Sequence, residues 1–407
     1  MRGRTPLLLG FLLPALLLAS AARAPDPAHG AGKRTVVLIT MDGVRWDYPL
    51  RDRLPHFARM AREGARASRL RPAFPPLTFP SHAALATGCT AARHGIAANG
   101  FLDRETGRRF SEEREAAWLL EPPLWVLATR ASLSAAVAAW PCSAGPWEGV
   151  RPRYYRALSD AGSDEQRELW IETLLSLPEA ERPSLVMAWT SGADAEGHAE
   201  GPEGEKVHRA MGAADRLLGR LLDFLSGEGR ASRTTLLLAS DHGMAPVTRV
   251  LDLLPLVPKS GYYPFVAVSG PVCNVYCKGA AQEGAVAKGL AAAAPGVQLW
   301  RRGRLPDRLR YAGQRTGDLV LLAPPGVTFA SFARWSRGED RPAPRGMHGY
   351  DPETCPDMAG IFYAWGAGVA RGRSLGEART VDVAPTVCAL LGLAPPPHAE
   401  GRALALR

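Results

Sequence analysis

Four stretches of the chain carry apolar residues almost without interruption: "TVVLIT" at 35–40, "SLVMAWT" at 184–190, "TTLLLAS" at 234–240 and "AGIFYAW" at 359–365. A strand with one face in water alternates apolar and polar positions, so unbroken runs of this length predict strands buried on both faces of a mostly parallel sheet. The segments between them have a different period. In "KVHRAMGAADRLLGRLLDFL" at 206–225 the apolar residues recur at three and four, which predicts an amphipathic helix. Strand and helix alternating along the chain predict an α/β fold with helices on both faces of the sheet. Neither an internal repeat nor a low-complexity tract breaks the pattern.

The first residues, "MRGRTPLLLGFLLPALLLASAARA", are built differently: two arginines, an apolar run broken by Pro14, then small residues ending in Ala22-Arg23-Ala24. This is the layout of a signal peptide and its cleavage site. Pro14 also leaves the continuous apolar part short for a bilayer span. Residues 1–24 are therefore expected to be removed from an exported protein, periplasmic or secreted, without stable membrane insertion. A length of 407 residues, 46% hydrophobic and 22% charged, allows a large core and excludes disorder as the main state. The formal charge of +9 comes from arginines scattered along the chain rather than from a dense basic block. No nucleic-acid partner is expected from it, and its use would be to attract anionic small molecules. Six cysteines are too few for a disulfide scaffold, and Cys89 and Cys388 stand in apolar or small-residue helical settings that suit buried thiols.

Chemistry gathers where the apolar runs end. "TVVLIT" leads into Asp42, "SLVMAWT" into "SGADAEGH" with Asp194 and His198, and "TTLLLAS" into Asp241 and His242. Open α/β sheets bind their ligands at the carboxyl ends of strands. His348, in the glycine-flanked "GMHGYDP", precedes the fourth run and completes a pool of Asp and His that suits zinc or a similar divalent ion. A lone Asp after a strand is ordinarily a turn residue or a cap; these six recur in one topological position. His29, His56, His208 and His398 stand in no such pattern.

Six ligands suffice for two ions, and two ions about 3.5–4 Å apart are a device for phosphoryl transfer. Such a site needs a nucleophile. In "PAFPPLTFPSHAALATG" at 72–88, proline turns present Thr78 at the mouth of a predicted helix whose dipole and free N–H groups attract phosphate. Pro80 is tolerated in the first turn, and metal coordination would activate the hydroxyl. The competing reading is a plain N-cap threonine; the ligand pool favours the nucleophile.

"LITMDGVRWDY", "TFPSHAALATGCTAARHGIAAN", "DAEGHAEGP", "SDHGM" and "MHGYDP" together resemble, in order and spacing, the nucleotide pyrophosphatase/phosphodiesterase family (type I phosphodiesterases) of the alkaline phosphatase superfamily. The resemblance runs from about residue 34 to the end. It implies an alkaline-phosphatase-like three-layer sandwich and hydrolysis of phosphodiester or pyrophosphate bonds with two Zn2+ ions as cofactors. By resemblance, Asp42, Thr78, Asp241 and His242 hold one zinc, and Asp194, His198 and His348 the other. Thr78 would attack phosphorus to give a phosphothreonine that an activated water then hydrolyses. Asn99, with the backbone N–H of Phe79, would bind a non-bridging phosphate oxygen.

Departures from the family pattern bear on the substrate. Relatives that act on nucleotides stack the base between the residue matching Phe79 and a tyrosine downstream of "WPGS". Here the motif reads "WPCS", Leu158 occupies the tyrosine's place, and Tyr154 and Tyr155 lie close by. An apolar stretch at Trp140-Pro141-Cys142 replaces the Lys-x-Arg of the monoesterase branch, which favours a diester or pyrophosphate. "CTAAR" at 89–93 lacks the proline of the sulfatase motif and follows the helix. The expected partner is thus a small-molecule phosphodiester or pyrophosphate, nucleotides among the candidates. A phosphonate hydrolase or a phosphotransferase could use the same two-metal site; a non-catalytic metal-containing binding protein is disfavoured because every ligand position is filled. Residues 33–407 are expected to form one catalytic domain with an inserted α+β subdomain at 250–340, where "YPFVAVSG", "CNVYCKG" and "DLVLLAPP" read as strands.

Overall fold

The computed structural model describes residues 34–407 except 113, 161, 258–263, 292–295 and 331–342. The leader at 1–24 and His29 lie outside the described residues. The centre is an eight-stranded sheet in the order Arg373–Ser374, Ala65–Arg66, Phe362–Gly366, Thr234–Ala239, Thr35–Met41, Leu185–Thr190, Ala135–Ala138, Tyr154–Arg156. All four apolar runs lie in this sheet. Thr35–Met41, fully buried, is its middle, parallel to Leu185–Thr190 on one side and to Thr234–Ala239 on the other.

Successive side chains of these strands enter two different cores. Val36 and Leu38 face a layer containing Ala83, Leu85, Val383 and Val387, from the helices Thr78–Thr87 and Val383–Leu391. Val37 and Ile39 face Phe57, Ile171, Met211, Leu218 and Leu222, from Pro55–Glu63, Asp164–Ser176 and Glu205–Ser226. Two dry faces explain why the runs are continuous rather than alternating. Each fully buried Leu or Val contributes about 1.5–3 kcal/mol of transfer free energy.

One orientation was not foreseen. Phe362–Gly366 runs antiparallel to Thr234–Ala239, Phe362 pairing with Ala239 and Gly366 with Thr235. A strand buried on both faces has the same apolar pattern in either direction, so periodicity cannot reveal this. The consequence is functional: the chain enters this strand at the edge where its parallel neighbours end, so the segment preceding it, including His348, approaches that same edge.

Within 250–340 the chain forms a four-stranded antiparallel sheet of Phe265–Ser269, Val272–Tyr276, Leu319–Leu322 and Gln298–Arg301, with the helix Ala280–Ala291. Val275, Val286, Leu290 and Leu319 belong to a core of its own. All six cysteines carry thiols, and Cys89 and Cys388 are buried.

Two glycines lock the strand ends together. Gly43, at φ +66°, sits where a Cβ would lie 2.7 Å from Asp194 Cα, and at Gly192, φ +56°, a Cβ would lie 2.1 Å from the carbonyl oxygen of Asp42. Across this contact the N–H of Ala193 donates to Asp42 O at 2.9 Å and that of Asp42 to Thr190 O at 3.1 Å. We predict that Gly192→Ala destabilises the fold by about 2 kcal/mol or more, since the left-handed backbone alone costs ~1–2 kcal/mol in an L-residue. Urea unfolding with wild-type stability would show that the two loops are not locked.

Candidate active site

Each ligand candidate is set by the element that ends at it. Asp42 follows Thr35–Met41; its Oδ2 accepts a hydrogen bond from the indole N–H of Trp189 at 2.9 Å. Asp241 follows Thr234–Ala239; its Oδ1 accepts from the backbone N–H groups of Gly43 at 3.1 Å and His242 at 2.9 Å. Asp194 opens the helix Asp194–Glu200, and His198, one turn later, shares its face, with Nε2 3.5 Å from Asp194 Oδ1. His348 brings its Nε2 to 3.6 Å from the same oxygen.

The imidazoles are oriented alike. Nδ1 of His198 donates to Gly346 O at 2.9 Å, that of His242 to Gly243 O at 3.0 Å, and that of His348 to Pro76 O at 2.9 Å. A carbonyl can only accept, so each Nδ1 carries a proton and Nε2 is the nitrogen turned toward the carboxylates. Nε2 of His242 lies 3.2 Å from Asp241 Oδ2, 3.5 Å from Asp42 Oδ1 and 3.4 Å from the hydroxyl of Thr78. The rings of His242 and His348 stack at 3.6 Å.

Three carboxylate oxygens, Asp42 Oδ1, Asp194 Oδ1 and Asp241 Oδ2, are buried without a hydrogen-bond partner. A buried charge left this way costs several kcal/mol unless a cation meets it. Burial, reinforced by the Asp241 and Asp194 carboxylates, pushes the Asp42 carboxyl well above its ordinary range. Burial and the facing His242 and His198 push the His348 imidazole well below its own, leaving it neutral and able to ligate. Oxygen and imidazole donors in this number fit a borderline divalent cation. Potential ligand atoms of Asp194, His198 and His348 lie within 4.8 Å of one another, as do those of Asp42, Asp194 and His242. Asp194 belongs to both groups, so the two ligand sets expected from the sequence adjoin at this residue.

Thr78 is the first residue of the helix Thr78–Thr87; the N-cap is Leu77, and no side-chain cap bond is made there. The threonine is not spent on capping. The free donors expected at this helix end are fewer than the sequence suggested. Phe79 N–H donates to Asn99 Oδ1 at 3.2 Å, Pro80 has none, and Ser81 N–H donates to Leu77 O at 2.9 Å. With its oxygen held by Phe79, Asn99 retains its NH2 as the donor group. Beside Thr78 opens a cavity of about 310 Å³ bordered by Phe79, Asn99, Trp140, Tyr155, Leu158 and Trp189. Strand alternation decides between the two tyrosines. Tyr154 packs against the core and donates its hydroxyl to Glu181 O, so its neighbour Tyr155 meets the cavity.

A family model described as type I phosphodiesterase / nucleotide pyrophosphatase matches residues 36–351. The chain belongs to this family. It is 28% identical over 372 residues to bis(5'-adenosyl)-triphosphatase of the mouse, covering 89% of this chain and 78% of the mouse protein. Venom phosphodiesterase 2 of Crotalus adamanteus is 28% identical over 404 residues, 93% of this chain and 48% of that protein. The solved structure of human ectonucleotide pyrophosphatase / phosphodiesterase 5 superposes with a TM-score of 0.82 at 25% identity, over 90% of this chain and 97% of that one. The fold is therefore the alkaline-phosphatase-like α/β sandwich, and the protein is a hydrolase of phosphodiester and pyrophosphate bonds.

Two side chains at this phosphodiesterase site escaped the sequence reading. Trp189 is the last apolar residue of a buried-looking run, and nothing in that run shows which way its indole points. His82 is fully buried, with Nδ1 2.8 Å from Thr78 O and 3.5 Å from Asp241 Oδ2, and Nε2 3.0 Å from the Thr40 hydroxyl. Its spacing of four from Thr78 on one helix was the available signal. His208 pairs at the surface with Asp52 at 2.8 Å, away from the site.

The Asp42 environment gives a signed prediction. A carboxyl whose folded pKa is raised favours folding only while protonated, so its contribution falls as pH rises from about 3.9 through the folded value. In chelator-treated protein, Asp42→Asn should therefore raise Tm by a few degrees at pH 7.5, with the gain vanishing toward pH 4, while weakening the rise in Tm expected on adding a divalent cation. A lower Tm for the chelated variant at pH 7.5 contradicts this.

Proposed function

We propose that this phosphodiesterase works through a phosphothreonine on Thr78 at a site for two zinc ions. Its substrates are proposed to be small-molecule phosphodiesters or pyrophosphates, nucleotides among them. The observation that supports this most is the set of three buried carboxylate oxygens without hydrogen-bond partners, faced by the Nε2 atoms of His198, His242 and His348, beside a hydroxyl that caps nothing. Asp42, Asp241, His242 and Thr78 would hold one ion, and Asp194, His198 and His348 the other. When bound, the ions would favour the ionised hydroxyl of Thr78 and neutralise charge on the phosphate and leaving oxygens.

The chain's own residues supply the rest. Thr78 Oγ, having given up its proton, forms a bond to phosphorus in line with the departing oxygen, which keeps the electron pair of the broken P–O bond. Water, giving up a proton, then forms a bond to phosphorus, the P–Oγ bond breaks with its electron pair on Oγ, and Oγ takes a proton to restore the threonine. Asn99 donates its NH2 to a non-bridging oxygen, its orientation held by the bond from Phe79 N–H. Phe79 and Tyr155 supply rings and Leu158 an aliphatic wall for the group next to the phosphate.

A nucleotide substrate is supported by the name of the mouse relative and by the structure of an inactive variant of murine ectonucleotide pyrophosphatase / phosphodiesterase 5 in complex with AMP. Export is supported by the leader-like start and by relatives named as ectonucleotide enzymes and venom phosphodiesterases. Among the described residues no helix is long and apolar enough to cross a membrane. The segment 250–340 is read as an insertion within the catalytic domain 33–407, because Arg249–Leu251 and Val327–Phe329 pair side by side where the chain leaves and returns.

The deciding assay compares p-nitrophenol release from a nucleoside 5'-p-nitrophenyl diester and from p-nitrophenyl phosphate, after chelation and after zinc is added back. A zinc-restored preference for the diester is expected; preference for the monoester would refute the substrate class. Thr78→Ala should abolish turnover of a folded protein, and residual turnover near wild type would remove it as nucleophile. Asn99→Ala should lower kcat by roughly 10²–10³, the usual loss of one oxyanion donor. Leu158→Tyr should raise kcat/KM for the nucleoside diester relative to a simple aryl diester, by the ~0.5–1.5 kcal/mol of an aromatic pair. An unchanged ratio would place the base elsewhere.

A further inference from the structure

Trp189 joins three parts of the active site. It stands at the carboxyl end of Leu185–Thr190, whose first four residues are buried while Trp189 itself is half-buried. Its indole N–H donates to Asp42 Oδ2 at 2.9 Å. Its side chain also borders the cavity beside Thr78, together with Phe79, Asn99 and Leu158. On another side the guanidinium of Arg167 lies over the ring, 5.3 Å from its centroid. Arg167 is itself held by Gly162 O at 2.6 Å and by Asp164. Asp164 in turn accepts from the Ser191 hydroxyl at 2.7 Å and the Ser191 N–H at 3.2 Å, in the loop that leads to Asp194.

We infer that Trp189 is a positioning residue, whose indole N–H fixes the carboxylate of Asp42 so that Oδ1 is presented to a divalent cation while its ring forms part of the substrate wall. The torsion that turns an aspartate carboxylate is broad and roughly two-fold, so packing alone defines it weakly. Here Oδ2 is tied to Trp189 and Oδ1 is left as the buried atom without a partner. Groups that orient a ligand from behind in this way typically change metal affinity by 10–100-fold when removed. The Arg167 clamp holds the indole in turn, so the direction of one metal ligand depends on a chain of contacts reaching the start of the helix Asp164–Ser176. This inference rests on the proposal that Asp42 ligates zinc.

Two variants separate the N–H from the ring. Trp189→Phe keeps an aromatic wall and a face for Arg167 but removes the donor; Trp189→Leu removes both. Zinc affinity is measured on purified protein by competition with a chromophoric chelator, and kcat and KM with the nucleoside 5'-p-nitrophenyl diester at saturating zinc. Trp189→Phe should lower zinc affinity about tenfold or more, with KM within about twofold of wild type. Trp189→Leu should show the same loss of affinity and, in addition, a several-fold higher KM. Wild-type zinc affinity in Trp189→Phe overturns the inference. So does a loss of affinity matched by a fall in Tm of the chelated protein, which would make Trp189 a packing residue only. If wild-type protein itself binds no zinc, the two-zinc reading fails first, a result distinct from zinc binding that is indifferent to Trp189.

Discussion

Three aspartates converge at one edge of the central sheet, and nearly everything else about the site is arranged around the cost of holding them there. Asp42, Asp194 and Asp241 each retain a buried oxygen that no protein group satisfies. Left to side-chain flexibility, such carboxylates would separate or protonate. What prevents separation is backbone: Gly43 packs on Asp194, Gly192 packs on the peptide of Asp42, and two N–H groups fasten Asp241 Oδ1. The sheet beneath supplies rigidity, with its middle strand dry on both faces. A stable fold thus pays for a locally unstable cluster of charge, and that cluster is what makes a cation welcome.

Around this centre the work is divided between different parts of the chain. Asp42, Asp241 and His242 directly follow parallel strands, Asp194 and His198 come from the helix Asp194–Glu200, and Thr78, the proposed nucleophile, arrives on the helix Thr78–Thr87. The cavity wall is drawn from farther afield: Trp140 follows Ala135–Ala138, and Tyr155 belongs to the edge strand Tyr154–Arg156. Edge strands and their loops can change shape without disturbing the central strands, so leaving-group recognition can vary while the phosphorus chemistry stays fixed.

The central strands and the ligand pool were legible because two independent patterns coincide: unbroken apolar runs, and Asp or His immediately after them. The direction of Phe362–Gly366 was not, since burial on both faces erases the period that would distinguish its neighbours. That Asp194 lies near members of both expected ligand sets is visible only in space, because in sequence it stands beside His198 alone. Trp189 and His82 were hidden for a related reason. Both sit in segments whose apolar or helical character explains their presence without any chemistry, and only side-chain direction reveals what they touch. The choice between Tyr154 and Tyr155 depended on a three-residue strand too short to be seen as one.

The three imidazoles are held by carbonyl oxygens of Pro76, Gly243 and Gly346, not by side chains. Two of these positions have no room for a methyl group: a Cβ on Gly243 would lie 2.1 Å from Asp357 O, and one on Gly346 would lie 2.3 Å from Gly197 O. The aim of the histidines is therefore written into the course of the main chain. A catalogue of functional groups would pass over these residues, yet they act as fixed mounts, and the site includes positions that contribute nothing except where they allow the backbone to go.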